Sequence, residues 1–92
     1  MVDLARLGLG RTLATPGALD LAGRAGVPLA SVLDRHAAGD WGHLGDGDRL
    51  ANKLALPGGA QLFSAYQTAA GRLWVITEAD RSATTVLLPS KY

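Results

Sequence analysis

The chain gathers both of its histidines into one short stretch, RHAAGDWGHLGDGD at 35–48, together with Trp41 and three aspartates. Metal binding is the first chemistry such a set suggests. His36, Asp40 and His43 make a His-x3-Asp-x2-His pattern, and zinc accepts two imidazoles and a carboxylate. That spacing matches no familiar metal signature, however, and Asp46-x-Asp48 lacks the remaining ligands of a calcium loop. Aspartate alternating with glycine is the ordinary composition of turns and helix caps, so no metal is expected. Other cofactors fail on similar grounds. Gly8-x-Gly10 has no third glycine at the dinucleotide spacing, and no phosphate-loop lysine follows it. No serine sits in a Gly-x-Ser-x-Gly elbow either.

Metal-independent RNA cleavage asks for parts that are all present. It needs a base for the 2′-hydroxyl proton, an acid for the leaving oxygen and a cation for the charge that builds on phosphorus. His36 suits either proton role near neutral pH, and the planar fork of Arg81 suits a phosphate. Thr77, Ser82 and Thr85 supply nearby hydroxyls, while Tyr66 or Trp41 offers a face on which a base can stack. The catalytic set on this reading is His36, Arg81, Thr77 and Thr85.

A plainer reading competes with it. A histidine on an apolar helical stripe packs as a core residue with a satisfied hydrogen bond. Glu78, Asp80 and Arg81 then form a solvated hairpin tip whose local ion pair is worth little, and Trp74 belongs to the core or to a partner interface. A binding surface would draw on Arg35, Asp40, Trp41, Tyr66, Trp74, Glu78, Asp80 and Arg81.

The elements that must position these residues follow from spacing. RTLA at 11–14 reads as a short strand or an extended arm. Thr15-Pro16 starts a helix, with a hydroxyl at the cap and proline at the first helical position. Ala18, Leu21, Ala22 and Ala25 continue it at helical spacing and Gly26 stops it. Pro28 starts a second helix, in which Leu29, Val32, Leu33 and His36 share one stripe; Gly39 is its expected C-terminal cap. Asp46 or Asp48 caps a third helix through about residue 56, with Leu50, Ala51 and Leu54 inward and Pro57-Gly58-Gly59 as the stop. QLFSAYQ, RLWVITE and TTVLL are rich in β-branched and aromatic residues and are separated by turn-like TAAG and ADRSA. Pairing Gln67 with Arg72 puts Leu62, Ser64, Tyr66, Leu73, Val75 and Thr77 on one face, and Phe63, Ala65, Trp74, Ile76 and Glu78 on the other. The expected fold is α+β: two or three N-terminal helices packed on a C-terminal three-stranded antiparallel β-meander, in a single domain over residues 1–92.

With 48% hydrophobic and 18% charged residues, the chain has the composition of a folded domain rather than a disordered one. That apolar share is high for so small a domain: either both faces of a sheet are covered, or some apolar surface meets a partner. A net charge of +1 is far from the basic balance of a nucleic-acid clamp. Residues 47–92 carry five cations against three anions, too small an excess to matter. Cysteine is absent, which excludes disulfides and thiolate chemistry. The opening residues MVDLARLGLGRTL hold no sustained apolar run, so the expectation is a cytoplasmic protein without a membrane span.

WVITEADRSATTVLLPSKY (74–92), with RHAAGDWGHL (35–44) and ATPGAL (14–19), resembles a group of small bacterial proteins encoded on plasmids and other mobile elements. These are labelled plasmid-related or type I restriction endonuclease subunit M. A methyltransferase requires a glycine-rich adenosylmethionine loop in a much larger α/β domain. The resemblance therefore implies an accessory role in DNA conflict that needs only a surface for a protein partner, a second copy or a nucleic acid. More loosely, helices carrying a histidine before an antiparallel sheet look like the RelE and barnase-EndoU-colicin group of small ribonucleases. In that case His36 and Arg81 would form the catalytic pair.

Overall fold

The computed structural model describes residues 8–56 and 59–91. Expectations about residues 1–7 and about Pro57-Gly58 as a helix stop lie outside them. The element order is β1 (Arg11–Ala14), α1 (Pro16–Ala25), α2 (Leu29–Ala37), α3 (Asp46–Ala55), β2 (Leu62–Thr68), β3 (Gly71–Thr77) and β4 (Ala83–Leu87), with one 3-10 turn at Pro89–Lys91. The protein is α+β as expected, but the sheet is not a three-stranded antiparallel meander. It has four strands in the order β1-β4-β3-β2 and is mixed, because β1 runs parallel to β4 with Arg11 opposite Ala83 and Ala14 opposite Val86. The helices accordingly fall between the first strand and the second rather than ahead of the sheet.

Local chemistry accounts for the helix ends. Thr15 caps α1 by accepting a hydrogen bond from the Ala18 amide at 3.2 Å, and Gly26 ends it in the left-handed conformation at φ 69°. At the end of α2, Ala38 occupies the cap in right-handed conformation and Gly39, one residue later, makes the turn at φ 84°. Neither Asp46 nor Asp48 caps α3. Gly45 holds that position, and both aspartates lie in the first turn, where the positive end of the helix dipole favours them.

Within the meander the register follows the alternation of residues: Gln67 opposes Arg72 and Val75 opposes Val86. One face of the sheet, carrying Leu62, Ser64, Tyr66, Leu73, Val75 and Thr77, is wholly buried. Tyr66, Leu73, Val75 and Val86 pack there against Ala18, Leu21 and Ala22 of α1 and Val32 of α2. The opposite face is graded: Ala65, Ile76 and Leu87 are buried, while Phe63 and Trp74 are half-buried in an edge-to-face contact with ring centroids 4.9 Å apart.

The expected inward face of α3 is reversed. Leu50 is 57% and Leu54 73% exposed, Ala51 is also exposed, and the buried residues are Asn52 and Ala55. The cause is polar. Asn52 donates from Nδ2 to the Phe63 carbonyl at 2.6 Å and accepts from the Phe63 amide at 3.0 Å. Those two groups lie on the free edge of β2, and pairing them outweighs burying two leucines.

Candidate functional site

His36 comes from the last turn of α2 and is completely buried over the polar positions of the inner sheet face. Its Nδ1 lies 2.5 Å from Ser64 Oγ and its Nε2 2.8 Å from Thr77 Oγ1. Thr77 Oγ1 is in turn 2.7 Å from Thr84 Oγ1, and Thr84 donates to the Leu9 carbonyl at 2.7 Å. A hydroxyl has one proton, so these contacts set the direction of the whole chain. Thr84 spends its proton on Leu9; hence Thr77 donates to Thr84 and must accept from His36. The imidazole is therefore the Nε2–H tautomer, and Ser64 donates to its Nδ1 lone pair. Burial lowers the His36 pKa to about 4, and the direction of the network agrees, since protonating Nδ1 would displace the Ser64 donor.

Arg81 meets different partners. It lies in the β3–β4 connection with φ 63°, a strained conformation for a residue with a side chain. Nη1 donates to the carbonyls of Ala60 at 2.7 Å, Glu78 at 3.2 Å and Ala79 at 3.3 Å, and Nη2 donates to the Ala55 carbonyl at the end of α3. The guanidinium thus ties Ala55 and Ala60 to the hairpin. Hydrogen bonds from the Ser82 hydroxyl and then from the Ser82 amide, the latter at 2.9 Å, hold the Asp80 carboxyl below its usual pKa, and Glu78 is exposed. Thr85 opposes Ile76 on the graded face, away from Thr77 and Thr84. Of the four residues expected to act together on RNA, only His36 and Thr77 share a hydrogen bond.

The 38–45 connection is anchored by several polar contacts. Arg35 pairs with Asp40, Nε to Oδ2 at 2.6 Å, and this contact raises the arginine pKa and lowers that of the aspartate. The Arg35 guanidinium stacks 4.5 Å from the Tyr66 ring centroid. The Tyr66 hydroxyl donates to the Asp40 carbonyl at 2.5 Å, and burial pushes its pKa up to about 12. Trp41 and His43 then pair with the edge of β2: the Ala65 amide donates to the Trp41 carbonyl at 3.1 Å and the His43 amide to the Ala65 carbonyl at 2.7 Å. Between them Gly42 sits at φ 71°, where a Cβ would overlap the Ala65 carbonyl oxygen.

What remains open on the surface is organised by α3. Leu50 and Leu54 form its crest. On one side Ala51 faces a groove of about 250 Å³ with Phe63, Trp74 and Ile76. On the other, Arg49, Lys53 and Leu56 face a cavity of about 460 Å³ bounded by Trp41 and the end of α2. Sequence reasoning singled out neither Arg49 and Lys53 nor Asn52. The i, i+4, i+7 spacing of Arg49, Lys53 and Leu56 is a legible sign of a shared flank, but nothing in it says that the flank meets Trp41.

Among the described residues, no group of three or more histidine, aspartate or glutamate side chains could hold a metal ion, and no helix is long and apolar enough to cross a membrane. No protein-family model matches the chain, and neither does any curated protein or any solved structure.

Proposed function

We propose that the protein acts as a small non-catalytic interaction module whose contact surface is the crest of α3 with the adjoining Phe63–Trp74 groove. The carrying observation is the outward placement of Leu50 and Leu54, 57% and 73% exposed, on a helix whose inner positions are taken by Asn52 and Ala55. Two leucines at i, i+4 next to a groove walled by aromatic rings make a hydrophobic centre with charged residues at its rim, the composition of a protein-binding patch. The partner is a second copy of this chain, bound through the same patch on both subunits. An accessory role in DNA conflict, which the sequence resemblance implies, is the setting we propose for such a module. The ribonuclease alternative draws no support from the geometry, because the His36 ring is sealed from solvent with both nitrogens engaged.

Sedimentation of the purified protein tests this reading. A dimer that Leu54→Glu converts to a folded monomer is the expected result. A wild-type protein that stays monomeric at concentrations of about 100 μM, a weak-interface Kd, would overturn it. Metal-independent RNA cleavage lost in His36→Gln would instead restore the enzyme reading.

A further inference from the structure

The cavity on the other flank of α3 carries charge that the interaction reading does not use. Arg49 and Lys53 stand one helical turn apart on its wall. Arg49 is oriented by one hydrogen bond, Nη2 to the Gly42 carbonyl at 2.5 Å, which leaves its other N–H groups to point elsewhere. Lys53 makes no hydrogen bond or ion pair among the described residues; no carboxylate lines the cavity, and the nearby Asp40, paired with Arg35, attracts Arg49 only at longer range. The opposite wall is Trp41, 6% exposed, whose Nε1–H is buried without an acceptor. A buried indole N–H ordinarily finds a partner. Here it has none to lose, so a turn of the ring toward an acceptor inside the cavity gains a hydrogen bond. Leu56 and the alanines at the end of α2 make the remaining lining apolar.

We propose that this cavity binds a small monocarboxylate carrying a planar apolar body. The carboxylate sits between Arg49 and Lys53, where charge-assisted bonds are available, and one of its oxygens is the acceptor the Trp41 N–H lacks; the apolar body lies against Leu56 and the alanines at the end of α2. The end of α2 argues for a single negative charge. Residues 37–39 bring the negative end of that helix dipole to the cavity, and it opposes a dianion such as phosphate more than a monoanion. The proposal stands apart from the α3 crest, since Leu50 and Leu54 do not line this cavity.

Phenylacetate is the probe, and the indole N–H resonance of Trp41, assigned by its persistence in Trp74→Phe, is the readout. The expected result is a saturable shift of that resonance, with binding about tenfold weaker for the neutral isostere 2-phenylethanol and for Lys53→Gln, the loss of one charge-assisted contact. Lys53 is exposed, so its replacement leaves the fold in place. Phenylacetate and 2-phenylethanol binding equally well would overturn the proposal, as would shifts that stay linear to about 20 mM, weaker than any useful affinity. Inorganic phosphate binding more tightly than phenylacetate would also overturn it, in favour of a phosphate site.

Discussion

At the scale of single residues, His36 decides how the molecule responds to pH. Its folded pKa, about 4, lies below the ordinary value of 6.5 because burial penalises the charged ring. Between these values the unfolded chain binds a proton that the folded one refuses, so stability rises with pH. The contribution is fully present above about pH 6.5, is lost as pH falls toward 4, and amounts to about 3 kcal/mol over the window. Urea unfolding at pH 7.5 and pH 4.5 measures it, and His36→Gln, which carries no titrating ring, should remove most of the difference. Equal slopes for the two proteins would show that His36 is not the group responsible. The histidine's place on the apolar stripe of α2 was legible from spacing. Its partners were not, because Ser64, Thr77 and Thr84 come from three separate strands and meet only when the sheet forms.

At the scale of elements, the exposed edge of β2 explains why the loop and α3 lie where they do. Its outward backbone groups are met at Phe63 by the Asn52 amide and at Ala65 by the 41–43 segment. Asn52→Leu keeps helix propensity but leaves a buried donor and acceptor unpaired, at an expected cost of about 2–4 kcal/mol. Chemical denaturation reads that loss, and faster aggregation should accompany it as the edge is uncovered. Gly42→Ala meets both a left-handed backbone and the Ala65 carbonyl, and a loss of about 2 kcal/mol or more in the same assay is expected. The sequence marked Gly39 as a helix cap and the aspartate–glycine alternation after His43 as turns and a helix cap, and α3 does begin there, at Asp46. The pairing of the 41–43 segment with a strand twenty residues later left no local trace, because backbone hydrogen bonding carries no residue signature.

At the scale of the whole molecule, the balance between core and surface shapes function. The inner sheet face absorbs α1 and α2, and the sealed polar ladder spans β2, β3 and β4 to the carbonyl of Leu9 just ahead of β1. Of the large apolar side chains left outside, Leu50, Leu54 and Leu56 gather on α3 and its C-cap, while Leu13 and Leu19 stand apart on β1 and α1. Leu54→Glu is therefore expected to change thermal stability little when measured on the monomer, within about 0.5 kcal/mol, while abolishing self-association. A large loss of stability in that variant would mean that Leu54 belongs to the core after all.

By itself the sequence determined the approximate helix spans, the β2–β3 register and the α+β class. Each depends on local spacing: 3.6-residue periodicity, alternation along a strand, and caps such as Thr15 and Gly26. Only the tertiary structure decided that RTLA, read as a short strand or an extended arm, joins the sheet beside β4, and it alone decided the orientation of α3 and the partners of His36 and Arg81. Four residues of RTLA gain most of their stability as a strand by pairing with β4, some seventy positions away. The apolar pattern of α3 named a face to bury, but the two unpaired groups of Phe63 called for Asn52 instead. Hydrogen-bond satisfaction across distant segments overrode hydrophobic periodicity at that point, and it turned two leucines toward solvent.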